Sequence, residues 1–165
     1  MSGYAPLHEY CPEIGASEYR SLHLAPASDL PGRDFGFMEL YCTERRCDCR
    51  RVIFWVFAMD RPRKPVATLG YGWESPDFYL KWMHGNPFAE RMAGLSVEAL
   101  GPQSDLSEAL FHACEEYLLV DPEYIESLKR HYELFRKVVD AKGGKGGATS
   151  ATPGAPKRER PRWRH

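Results

Sequence analysis

The 165-residue chain has no long apolar run. Its longest, Val52–Met59, covers eight residues, while a helix crossing a bilayer needs about 20. No transmembrane helix is therefore expected. The amino terminus, MSGYAPLHEYCPE, has neither a basic start nor an apolar stretch, so a secretory signal is not expected either. Cysteine is scarce and odd in number: Cys11, Cys42, Cys47, Cys49 and Cys114. Five thiols without a leader argue against a disulfide scaffold and fit a reducing, cytoplasmic compartment. There is no G-x-S-x-G, no H-E-x-x-H and no glycine-rich loop joining a strand to a helix, which removes the local signatures of elbow-type hydrolases, zincins and nucleotide-binding folds. No internal repeat is visible.

What is present begins with an uneven charge. The net charge is −1, but residues 142–165 carry seven basic residues against Glu159, a net of +6, which leaves the body at −7. An acidic body suits nucleic acid poorly, so any such contact is expected in the tail, through Lys157–Arg164 with Trp163 as a stacking ring. From about Ala141 the text is glycine, proline, small polar and basic residues, which cannot bury enough surface to fold. A single domain is expected over 1–140, followed by a disordered basic tail over 141–165.

The fold class expected is α+β, an antiparallel β-meander with a C-terminal helical hairpin. Residues 1–18 read as an irregular leader and 19–24 as a short strand, with a loop at 25–33. Strands are expected at 35–41, 51–57 and 66–73. The second is apolar on both faces, as a central, doubly covered strand would be. Gly70 and Gly72 mark a bulge or a close approach in the third. Ser75 and Pro76 open a short helix carrying Phe78, Tyr79 and Trp82. An Asp105-x-x-Glu108 cap is expected to start a helix at about 105–119, with a stripe of Leu106, Ala109, Leu110, Ala113, Cys114, Tyr117 and Leu118. Asp121-Pro122-Glu123 opens the next, at about 122–140, with a stripe of Tyr124, Ile125, Leu128, Tyr132, Phe135 and Val139.

The chemistry lies in Cys42-x4-Cys47-x-Cys49, at the tip of the hairpin between the first two main strands. Cys47 and Cys49, two positions apart, point to one side of an extended chain, and the four-residue gap lets Cys42 turn back to meet them. Three converging thiolates suit tetrahedral Zn²⁺, with Zn–S near ~2.3 Å. Arg45, Arg46, Arg50 and Arg51 flank the cluster and favour ionised thiols. Cys11 is the first candidate for a fourth ligand, with His8, His23, His84 and Asp48 as alternatives. Cys114, on the first helix stripe, reads as a buried structural thiol. His131 reads as helix decoration. The aromatic stretch 71–88 reads chiefly as core, with an interaction platform as the alternative.

The runs LYCTERRCDCRRV, YGWESPDFYLKWM, LGPQSDLSEAL and LKRHYELFRKVV resemble an uncharacterised group of bacterial proteins whose members often carry a C-terminal SEC-C-type zinc-chelating motif. The likeness covers about residues 35–140. It implies a bacterial, cytosolic, metal-binding protein, with Cys42, Cys47 and Cys49 as ligands and no catalytic residue. The SEC-C motif itself is absent, because residues 141–165 hold no cysteine.

Three function classes follow. A thiolate-rich site favours a non-catalytic, zinc-stabilised domain used for interaction with another protein. A nucleic-acid-associated protein would use the Arg-flanked knuckle and the tail. A zinc-dependent enzyme would need an open metal position and a nearby base, for which Glu44 and Asp48 are the local candidates.

Overall fold

The computed structural model describes residues 3–23 and 33–142. The chain opens with strand β1 (Tyr4–Pro6), helices α1 (Leu7–Tyr10) and α2 (Pro12–Ser17), and strand β2 (Arg20–His23). The long strands β3 (Asp34–Cys42), β4 (Arg51–Ala58) and β5 (Ala67–Gly72) follow. Next come helix α3 (Pro76–Trp82), a 3₁₀ turn at Pro87–Met92 and strand β6 (Gly94–Val97). The chain then forms α4 (Ser107–Ala113), a π turn at Cys114–Leu118 and α5 (Pro122–Lys142). This is the α+β architecture expected, with the long strands and the helix starts at Pro76 and Pro122 where the pattern placed them.

Every strand pairing is antiparallel, in the order β1-β3-β4-β5-β6. β1 and β2 lie end to end along one edge of β3: Tyr4 faces Cys42 and Pro6 faces Leu40, while Arg20 faces Phe37 and His23 faces Asp34. The leader is thus not irregular. Its three-residue strand and two short helices are too brief to show a hydrophobic period, and they gain stability from the edge of β3 rather than from local propensity. β6 and the 3₁₀ turn were likewise not foreseen. The proposed loop at 25–33 and the tail beyond Lys142 lie outside the described residues, apart from Arg33.

β4 carries the core on both faces, as expected. Val52, Phe54, Val56 and Ala58 join Phe35, Phe37 and Tyr41 under Leu110, Leu118, Leu128, Phe135 and Val139 of the C-terminal helical segment. On the opposite face, fully buried Ile53 and Leu40 lie on paired positions of β4 and β3. There the glycines of β5 mark close approach, not a bulge. A methyl at Gly72 would stand 2.0 Å from the Met92 carbonyl and 2.5 Å from the Tyr79 hydroxyl.

Two helix details depart from the pattern. α4 begins at Ser107, not at an Asp105 cap. Ser104 Oγ accepts from the Leu106 N–H, and Ser107 Oγ accepts from the Ser104 N–H. The π turn after Ala113 then inserts an extra residue per turn. That rotates Tyr117 out of the stripe to 52% exposure while Cys114 and Leu118 stay buried. At the start of α5, Asp121 Oδ1 accepts from the Glu123 N–H at 2.9 Å, so the expected cap is made.

Candidate metal centre

β3 delivers Cys42 at its last residue, and the loop 43–50 returns the chain to β4 through Cys47 and Cys49. The sharp reversals are made by Arg46 (φ 58°) and Arg50 (φ 45°), both in the left-handed region that non-glycine residues seldom occupy. Strain of this kind persists only where the surroundings enforce it. Its result is convergence. The Sγ atoms of Cys42, Cys47 and Cys49 all lie within 4.8 Å of one another. Tetrahedral zinc with bonds of about 2.3 Å would place its sulfurs about 3.8 Å apart, so a small closure suffices. The cluster can hold a metal ion.

Electrostatics prepare one sulfur for ionisation. Hydrogen bonds from the Cys47 and Cys49 thiols, then the Glu44 backbone N–H and the Arg136 charge, outweigh burial and bring the Cys42 thiol down to about 3. Cys47 is pushed up, first because its own proton bonds to Cys42. Cys49 is raised by the same sharing with Cys42 and Cys47, reinforced by burial. Cys42 is thus the sulfur that ionises most readily. A divalent cation supplies the field that would release the other two protons.

The knuckle is clamped to α5 by residues that the sequence reading did not single out. Arg136 is only 8% exposed. Its Nη1 donates to the Cys42 carbonyl and its Nη2 to the Glu44 carbonyl, both at 2.7 Å, and Nη2 also reaches Asp140 at 2.8 Å. Asp140 accepts in turn from the Arg46 N–H at 3.0 Å. The Tyr132 hydroxyl donates to the Cys47 carbonyl at 3.2 Å, and Trp73 packs edge-on against the Tyr132 ring. From β1, Tyr4 stands opposite Cys42, its hydroxyl raised by burial and then by the thiol charges, against an opposing pull from Arg51. The available signal was a charge at a stripe position: Arg136 lies four residues after Tyr132 and three before Val139.

The flanking arginines do not act as a group. Arg50 forks onto Asp48 at 2.9 and 3.0 Å and reaches Glu74 at 3.1 Å. Arg51 is buried and bonds Glu98 at 2.5 Å. Arg136, 85 residues or more further along the chain, is the arginine that bears on Cys42. Cys11 lies outside the three-sulfur group. It sits at the α1–α2 junction, where its N–H bonds the Leu7 carbonyl and its carbonyl takes the Gly15 N–H. His23 pairs with Asp34 at the far end of β3 from Cys42. His8 and His84 are exposed, on α1 and after α3. Cys114 is buried, which pushes its thiol up to about 12, as a structural thiol should be.

His131 is not decoration. It is 1% exposed, with Nδ1 2.7 Å from the buried Glu39 carboxylate and Nε2 3.0 Å from Glu18. Of the aromatic stretch, Trp73 and Trp82 pack on the core as expected, while Phe78 carries the Arg50 guanidinium and Phe88 is exposed.

Fold and site together define an antiparallel α+β protein with a three-cysteine knuckle able to hold a metal ion. No family model matches the chain, and neither a curated protein nor a solved structure matches it. No helix among the described residues is long and apolar enough to cross a membrane.

Proposed function

We propose that the protein is a non-catalytic, zinc-binding bacterial domain of the cytoplasm that serves as an interaction module for another protein. The observation that carries this reading is the convergence of three sulfurs within 4.8 Å on a loop held by two left-handed arginines. Sulfur-only donor sets suit zinc and are typically structural. The likeness of the Leu40–Val52 run to the zinc-associated bacterial group points the same way. The knuckle joins the end of β3, the start of β4 and the last turns of α5. A metal there ties strand register to helix position, as a binding surface requires.

Full-length protein purified under reducing conditions without chelator should contain one zinc per chain. Cys47→Ser should abolish retention, while Cys114→Ser should keep it. Zinc content unaffected by Cys47→Ser would remove the knuckle from the reading.

A further inference from the structure

We infer that the metal held by Cys42, Cys47 and Cys49 keeps an open fourth position, facing the groove between the knuckle and α5, and that this position takes a neutral imidazole donor from another molecule. This rests on the zinc reading of the same cluster and adds what completes it.

Zinc in a thiolate site takes four ligands, and the described residues bring three sulfurs. Among the described residues, Cys11 and His84 are not in the group whose donor atoms converge, and the other candidate donors are committed or remote. Asp48 is held in the Arg50 fork. Asp140 is held by Arg136 and the Arg46 N–H. His131 lies between Glu39 and Glu18, and His23 pairs with Asp34 at the far end of β3. His8 lines a separate groove with Glu18 and Phe37, and His112 lines another with Val97 and Glu108.

The cluster is also unequally covered. Cys42 is 6% and Cys49 1% exposed, whereas Cys47 is half-buried. Cys47 lines a groove of roughly 330 Å³ with Asp48, Glu133, Lys137 and Asp140. A ligand reaching the metal from solvent would arrive on that side.

Charge selects its chemistry. Three thiolates around a divalent ion already leave one net negative charge, and the groove wall does not offset it, because Asp48, Glu133 and Asp140 balance Arg46, Arg136 and Lys137. A fourth thiolate or a carboxylate would add to that excess, and an imidazole adds none. Imidazole is also a preferred zinc donor. The occupant is therefore an exposed histidine of a partner protein or a small imidazole compound.

The test uses reduced, metal-free, full-length chain loaded with Co²⁺, whose visible ligand-field bands report each change of donor. Titration with imidazole should shift these bands saturably at one Co²⁺ per chain. His165→Ala should show the same shift, because His165 is the one cysteine or histidine in residues 143–165. Bands that ignore imidazole in both proteins would overturn the open position. Bands that ignore it in the parent chain but shift in His165→Ala would assign the position to the chain's own terminus, and would also overturn the inference. Failure to take up Co²⁺ at all would instead remove the underlying zinc reading. Once the shift is seen, a histidine-containing peptide and free imidazole separate a partner's side chain from a small ligand by their relative half-saturation.

Discussion

Arg136 does for the knuckle what none of the loop's own arginines does. One buried guanidinium holds the carbonyls of both Cys42 and Glu44, fixing the backbone on either side of the first turn. Hydrogen bonds to a charged group contribute about 1.5–3 kcal/mol each in net terms, and losing both leaves carbonyls short of a partner. Arg136→Met keeps the aliphatic stem and removes the donors. We expect it to destabilise the metal-free protein by roughly 2–4 kcal/mol in urea denaturation and to weaken metal retention. A midpoint equal to the parent's would show that the clamp is ornamental. The three cysteines were legible because type and spacing both speak for a metal. Arg136 was not, because an arginine on a helix normally reads as surface, and its partners are backbone carbonyls that leave no mark on composition.

At the scale of elements, His131 joins α5 to β3 and to the end of α2. Burial pulls its imidazole down, but the hydrogen bond and charge of Glu39, and then those of Glu18, outweigh burial and leave it raised. Each ring nitrogen faces a carboxylate, which only the doubly protonated ring satisfies. The other groups around it include the Arg130 guanidinium, bonded to Glu18, the Tyr41 hydroxyl, 2.8 Å from Glu39, and Arg20 and Tyr124, which line the same cavity. A raised folded value means that the contribution is fully present below the unfolded value near ~6.5 and is lost as pH rises through the folded one. Glu18 is shifted down by the His131 hydrogen bond, against burial, so its contribution is present above its unfolded value and lost as pH falls through the folded one. Stability should therefore decline as pH rises from about 6.5 through the raised folded value, and His131→Gln should flatten that limb. An unchanged slope in the variant would assign the decline to other groups.

β5 offers a steric test at the same scale. Gly72→Ala would drive a methyl into the Met92 carbonyl. We expect a loss on the order of 1–3 kcal/mol, measured by thermal or urea unfolding. Full tolerance would mean that the 3₁₀ segment moves freely. The long strands and α5 were readable from the sequence because each buries a whole period of apolar residues. β1 and β6 are three and four residues long and exist through pairing, whereas the equally short β2 falls within the strand expected at 19–24. The π turn breaks the period that would have announced it, so Tyr117 was placed on the wrong side of the stripe.

For the whole molecule, the sheet and its helices bury a core that touches the knuckle only at Cys42, Cys49 and the flanking Cys47, so chelation should loosen rather than unfold it. Ligand binding to the native state alone adds RT ln(1 + [L]/Kd), which is about 4 kcal/mol when free metal exceeds Kd a thousandfold. Chelation should lower the melting temperature while leaving most of the far-ultraviolet circular dichroism in place. Complete loss of signal on chelation would mean that the knuckle nucleates the fold. The most direct test of the central claim is zinc-edge X-ray absorption on the full-length protein as purified, combined with its metal content. One zinc per chain with three sulfur scatterers near ~2.3 Å, falling to none in Cys42→Ser, is the predicted result. Protein that binds no metal, with all three thiols of the cluster reacting as free groups before any chelator is added, would contradict it.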